Sequence, residues 1–502
     1  MKLAVVGAGW AGLAAAVEAT LAGHHVVVLE AARVLGGRAR AMPNVAPGRH
    51  LADGTAASLP PSSAPAPRPI TLDNGQHIVI GAYTETLRLM ATVGVDAQRS
   101  LLRMPLALRF PDGTGLACPD WPAPFDALAG ILGARGWTWR DKLALLACTA
   151  GWQRRAFRCA PAATVADLCR TVTPRVIAEL IEPLCASALN TAASEASGQV
   201  FLRVLQDSLL GPRGGSHLLI PRTDLGALFP VPAAAWLAGQ GGEVRTGRRV
   251  RALARRGDGW QIDSDGRNDA LPGSQAAETF DAVLLACPSW EAARLVRAAG
   301  LPGATTWLAR ADGLHFEAIA TVYATSATGL SQPMLALRSG PAAPAQFVFD
   351  RRHLATPAEP VAPAVPTDPT EPTDPATPPD PAELAARIAM GPAGPAVLAF
   401  VVSVSQGDRA LIERQVLAQG RAQLGLADLA PLQTVVEKRA TFACVPGLRR
   451  PAMTIAPGLL ACGEYVDGPY PGTLEGAVRS GVAAARALAS SGFIASTSPS
   501  SP

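Results

Sequence analysis

Three glycines open this chain at a spacing that can hold a phosphate. In Gly7-x-Gly9-x-x-Gly12 each glycine meets a separate steric demand. Gly7 makes a tight turn, Gly9 lets a pyrophosphate approach the backbone, and Gly12 lets a helix pack closely on a strand. The helix that follows points its N-terminus at the phosphates. Glu30 stands at the end of the next strand, where a carboxylate accepts hydrogen bonds from a ribose hydroxyl. Six residues on, Gly36-Gly37-Arg38 brings the chain back beside the pyrophosphate, with Arg38 supplying donors to phosphate oxygens. This second turn, directly downstream of the first motif, separates an FAD site from an NAD site. Near the other end, the apolar run Leu459–Cys462 leads into Gly463-Glu464, and Gly472-Thr473-Leu474-Glu475-Gly476-Ala477 opens a helix through Leu488. Two such motifs at opposite ends imply that the ends fold together around one FAD.

The elements that must position these residues alternate as a nucleotide-binding unit requires: strand Lys2–Val6, helix from about Ala11 to Ala22, strand His25–Glu30. Helical patterns dominate 85–210, as in Trp139–Trp152 and Pro174–Leu189, and short strands return at Val244–Thr246, Gly259–Ser264 and Ala282–Ala286. The expected fold is therefore α/β. A Rossmann-like FAD-binding domain is assembled from 1–84, 221–300 and 431–490, and a discontinuous, helix-rich α+β substrate domain from 85–220 and 301–430. The Pro-, Ala- and Ser-rich stretch 54–69 is expected to be a loop insertion. Segment 355–383 and the tail 491–502 are expected to be disordered, because they offer too little apolar surface to offset ordering entropy.

Bulk properties narrow the function classes. The 502 residues carry 44 basic and 40 acidic side chains with no long basic run, which argues against nucleic acid as a partner. Eight cysteines without a C-x-x-C pair suit a reducing cytoplasm. The N-terminus reads as a strand and not as a signal peptide, and no apolar stretch is long enough to span a bilayer. Metal-ligand spacing, a nucleophile triad and a P-loop are not apparent, so the flavin must carry the chemistry.

The ensemble resembles the amine oxidase and phytoene desaturase superfamily of flavoproteins. Within it the chain looks like the squalene-associated flavoproteins, the hydroxysqualene dehydroxylases of hopanoid synthesis. That likeness is carried by Leu72-Asp73-Asn74-Gly75-Gln76-His77, Leu189-Asn190-Thr191, Lys438-Arg439-Ala440-Thr441-Phe442 and Tyr470–Ala477. The resemblance implies that Gly7, Gly9, Gly12, Glu30, Gly37 and Arg38 serve the adenosine diphosphate part. It implies a backbone contact from Val250 to adenine, and places Gly463 and Glu464 at the ribityl and pyrophosphate region, where many relatives have Asp for this Glu. Thr473 and Leu474 correspond to backbone donors near the flavin pyrimidine, and Gly75, Gln76 and His77 to a strand passing the flavin face. The implied reaction takes hydroxysqualene, a long apolar isoprenoid, into an apolar tunnel and reduces it to squalene by hydride from reduced flavin. The electron donor is not legible.

His77 is the candidate catalytic group, since an imidazole titrates near neutrality; a satisfied structural histidine is the plain alternative. Carotenoid-type desaturation shares fold and cofactor but runs hydride the other way. An amine oxidase would want a lysine near the flavin, and only Lys438 of Lys2, Lys142 and Lys438 is placed for it. A non-catalytic flavoprotein scaffold is the remaining reading. Trp121, Trp137, Trp139 and Trp152, interleaved with Arg135, Arg140, Lys142, Arg154 and Arg155, suit either a peripheral contact with the inner face of a membrane or the core of a helical domain.

Overall fold

The Val- and Leu-rich runs near both termini meet in one six-stranded sheet, ordered Thr454–Ala456, Leu459–Ala461, Ala282–Leu285, Lys2–Val6, His25–Leu29, Glu243–Arg245. All neighbours are parallel except the Thr454–Ala456 edge. Strands of a parallel sheet are covered on both faces and so are apolar throughout. Leu3 and Val5 face a core shared with the opening helix Trp10–Leu21 and the closing helix Leu474–Ser490. Ala4 and Val6 face the other core, with Trp260 and helix Ser289–Ala298. This computed structural model describes residues 1–42, 71–209, 211, 213–265, 276–354 and 395–490. The segments 54–69, 355–383 and 491–502 singled out above lie outside the described residues.

The opening and closing helices touch through their smallest residues. A Cβ on Gly481 would lie 2.2 Å from the Ala11 carbonyl oxygen and 3.0 Å from the Ala15 amide, so only hydrogen fits there. From its first turn, the closing helix also sends a carboxylate into a neighbouring element. Glu475, fully buried, accepts from the N–H groups of Glu85 (3.1 Å) and Thr86 (3.0 Å) and from Thr86 Oγ1 (2.7 Å). It thereby caps helix Thr84–Thr92, whose first amides have no partner within the helix. Arg479 neutralises it at 2.6 Å.

Beyond this sheet lies a second, antiparallel one, ordered Met334–Ala336, Phe347–Asp350, Ala396–Val402, Phe316–Ser326, Ala430–Phe442. Its side chains alternate between two cores. Val322 and Phe400 pack under helix Arg409–Leu424, while Tyr323, Phe347 and Phe349 face a helical layer. In that layer Trp139–Arg154 is one helix, and the expected Pro174–Leu189 run is helical with a π turn at Ile177–Ile181. The widened turn falls where Pro183 has no N–H to donate. The four tryptophans divide between the two readings: Trp137 and Trp152 are core, whereas Trp121 and Trp139 are 53% and 66% exposed.

Removing the Glu475 carboxylate leaves the amides of Glu85 and Thr86 and the Arg479 guanidinium without their partner. Glu475→Ala is expected to lose about 3–5 kcal/mol of stability in urea unfolding, with Glu475→Gln in between; a midpoint equal to the parent's would refute the capping role.

Candidate functional site

Gly7 and Gly12 are glycines because the protein itself leaves no room. Gly7 sits at φ +114°, and a Cβ there would come 2.8 Å from the Ala286 carbonyl oxygen; on Gly12 it would come 2.0 Å from that of Gly7. Gly9 differs: the nearest atom to a built Cβ is the Gly37 Cα at 4.0 Å, so the protein tolerates a side chain where the surface of a cavity begins. Gly36 and Gly37, at φ +102° and +63°, form a left-handed turn docked on the first, with the Gly36 N–H donating to Ala8 O at 2.9 Å.

These turns open one cavity of about 970 Å³, near the top of the ~300–1,000 Å³ range of ligand sites. Its wall contains Gly7, Gly9, Glu30, Gly37, Arg38, Gly75, Gln76, His77, Val250, Gly463, Glu464, Thr473 and Leu474. Gly12 is not in the wall; it lies behind the turn, packed on Gly7 and Ala286. Glu30 accepts from the N–H groups of Ala8 (2.6 Å) and Ala32 (2.8 Å), which leaves about two of a carboxylate's four lone-pair sites for ribose. Arg38 pairs with Glu464 Oε2 at 2.6 Å and donates to the Ala440 carbonyl at 3.1 Å, so its guanidinium is held at the cavity wall. The Val250 carbonyl accepts from Arg294 at 3.1 Å.

The closing helix supplies the opposite rim. Thr473 Oγ1 accepts from the Gly476 N–H (3.0 Å) and donates to Tyr470 O (2.8 Å), and so caps the helix whose first residue, Leu474, faces the cavity. The Gly463 N–H is tied to that helix through Ser480 Oγ at 2.7 Å. Gln76 Oε1, Glu464 Oε1 and Tyr465 OH are buried without a hydrogen-bond partner, and all three residues line the cavity. Buried polar groups are nearly always paired. These three match the hydroxyls of a ribityl or ribose chain, so the residues present fit FAD.

The Leu72–His77 segment divides its labour in a way its spelling does not announce. Asn74 accepts from the Arg40 N–H (3.0 Å) and donates to Arg38 O (2.6 Å), which fixes Gly75–His77 against the Gly36–Arg38 turn. Asp73 is buried and accepts from the Leu225 N–H at 2.8 Å, and Tyr323 OH donates to its carbonyl at 2.9 Å. Burial pushes the Asp73 carboxyl up to about 6, against the pull of the Leu225 amide and of Arg351. His77 requires a correction. Burial lowers its imidazole to about 4, so it is neutral at pH 7 and does not titrate near neutrality as expected above.

Past these residues the wall turns apolar: Phe201, Val204 and Leu205 from helix Gly198–Leu209, Leu218, and Phe347 and Phe349 from the second sheet. A polar pair not anticipated from sequence also lines it. Tyr470 OH donates to Asp207 Oδ2 at 2.7 Å, and Arg203 Nε donates to the same oxygen at 2.6 Å. The residues that join are 263 positions apart, so no local signal could have found them. None of the chain's three lysines lines the cavity; Lys438 is exposed on its strand.

Comparison with known proteins gives a consistent picture. The model of the flavin containing amine oxidoreductase family matches residues 10–389 and 446–489. The hydroxysqualene dehydroxylase of Rhodopseudomonas palustris is 27% identical, covering 97% of this chain and 98% of its own. That of Sinorhizobium fredii is 26% identical over 96% of both. Among solved structures, an oxidoreductase from Methanosarcina mazei superposes with a TM-score of 0.65 at 14% identity, covering 97% of this chain and 100% of its own. Cyclohexylamine oxidase from Brevibacterium oxydans does so with 0.61 at 16% identity, covering 98% and 99%. These two likenesses speak to the fold.

Two glycines in one motif should fail differently. Gly9→Val is expected to fold with a thermal midpoint near the parent's yet to purify without yellow colour, whereas Gly12→Val should not fold; flavin absorbance and circular dichroism read the two apart, and stoichiometric flavin in Gly9→Val would refute the pyrophosphate assignment. Asp73 allows a pH test. Its pKa is raised on folding, so its contribution is whole below about pH 4 and is lost as pH rises through about 6. Asp73→Asn, neutral throughout, should therefore gain on the parent between pH 4 and pH 8 by about 3 kcal/mol, at 1.4 kcal/mol per unit; a pH-independent difference would rule this out.

Proposed function

The chain belongs to the flavin-containing amine oxidoreductase family and its cofactor is FAD; from that premise we propose that it converts hydroxysqualene to squalene. The observation that carries this reading is the continuity of one cavity from the nucleotide turns into an apolar compartment. The full-length relatives named hydroxysqualene dehydroxylase support it, as does a wall without lysine, which offers an amine oxidase no amine side chain at the flavin.

Bound flavin in its reduced state supplies a hydride; with one proton, this replaces the C–O bond of an allylic alcohol by C–H and releases water. The chain's own residues supply the rest. Phe201, Leu205, Leu218, Phe347 and Phe349 hold the hydrocarbon and keep out water that would otherwise recapture an allylic cation. Tyr470, whose single O–H is held by Asp207 at rest, would turn it from that carboxylate to the leaving oxygen and protonate it. Burial and the Asp207 hydrogen bond raise the Tyr470 pKa, so the phenol keeps its proton until the hydroxyl departs. His77, neutral at pH 7 and half-buried, is left as a hydrogen-bonding or packing group on the cavity wall.

The decisive experiment reduces the purified protein's flavin without oxygen, adds hydroxysqualene, and follows flavin absorbance and product mass. Reoxidation with squalene formation is expected, and Tyr470→Phe should slow it by about 100-fold while retaining flavin. Reduced flavin left unchanged would overturn the reading; oxidised flavin bleached by a phytoene-type isoprenoid would assign a desaturase.

A further inference from the structure

We infer that helix Phe125–Leu132 and the first turns of helix Trp139–Arg154 form a docking face for an anionic lipid bilayer. Phe125, Leu128 and Leu132 recur at helical spacing on one side and are 60%, 41% and 40% exposed, while Asp126, Gly130 and Ile131 face inward. The usual polarity of a surface helix is therefore reversed. Next to them, Trp139 and Leu143, four residues apart, are 66% and 60% exposed. Lys142 joins the helices by donating to Leu132 O at 2.7 Å and lying 5.2 Å from the centre of the Trp139 ring. Single exposed apolar residues are ordinary; a contiguous set of large ones marks an interaction site.

Charge selects the partner. From 121 to 158 the chain has six basic residues and two acidic ones, and both acids, Asp126 and Asp141, are buried. Arg135 and Arg140 are exposed beside the apolar face and form no ion pair among the described residues. The nearby exposed carboxylate, Asp120, faces Arg213 and His217. A second copy of the chain would set these arginines against themselves, because a two-fold interface pairs a surface with itself. Anionic headgroups above an apolar layer meet both features at once, with tryptophan and basic side chains at the boundary. No described helix is long and apolar enough to cross a membrane, so the contact is interfacial.

The face also backs onto the cavity. Asp126, on the inner side of the helix that exposes Phe125, accepts from Ser216 Oγ at 3.1 Å, and Ser216 lines the cavity. Bilayer and cavity would stand one helix apart, about 10–12 Å. The use of this arrangement, drawing an apolar substrate from lipid, rests on the proposed function; the surface and its test do not.

The test is flotation of the full FAD-bound chain with substrate-free vesicles, either phosphatidylglycerol with phosphatidylethanolamine or phosphatidylcholine alone. Binding is expected on the anionic vesicles, weakening with salt, and little on phosphatidylcholine. The triple variant Phe125→Ser, Leu128→Ser, Trp139→Ser and the double variant Arg135→Glu, Arg140→Glu should each lower partitioning at least tenfold. Flavin absorbance and turnover of detergent-dispersed substrate should stay at the parent's level. Parent-like binding by both variants, no binding by the parent, or a dimer that the triple variant dissociates would overturn the proposal. Failure of hydroxysqualene turnover with vesicle binding intact would count against the substrate alone.

Discussion

The close contact between the opening and closing helices is the constraint on which the rest depends. Ala11 and Ala15 on one side and Gly481 on the other bring two backbones together at a distance no larger side chain allows. That contact brings the rim at Thr473 and Leu474 to the cavity opened by the Gly7–Gly9 turn. Glu475, in the first turn of the same closing helix, carries the placement onward to helix Thr84–Thr92. Asn74 locks the irregular segment that contains Gly75–His77 to the Gly36–Arg38 turn. Four distant stretches of chain thus hold one wall through backbone contacts and short side chains, which have little freedom to drift.

What could be read in the sequence was what neighbouring residues decide. The glycine spacing, the strand ending at Glu30 and the helix after Thr473 are local, and the structure brings their cavity-lining members together. Hidden were the choices of distant partner. Nothing in the spelling of Leu72–His77 assigns Asp73 and Asn74 to scaffolding, nor links Tyr470 to Asp207. The same holds for His77, whose titration is decided by what buries it and not by its identity. The second sheet was partly hidden too: Ala396–Val402 is apolar throughout, but its neighbours Phe316–Ser326 and Phe347–Asp350 are set by pairing across the substrate layers.

The tryptophan-rich stretch shows how one composition serves two environments. Helix Trp139–Arg154 turns Leu145 and Trp152 inward and Trp139 and Leu143 outward, and a capping box between Thr138 and Asp141 sets where that rotation starts. Helix phase, and not residue content, separates a core tryptophan from a surface one.

The strand order has a consequence for how the protein is made. Lys2–Val6 lies between its near neighbour His25–Leu29 and the distant Ala282–Leu285, which waits in turn for Leu459–Ala461. The helix that closes the rim is built from the last described residues. During translation the first glycine turn therefore emerges well before Ala282–Leu285 and Leu459–Ala461, which complete its side of the sheet. A chain interrupted before residue 474 therefore keeps the phosphate-binding signature but lacks the rim that completes the cavity.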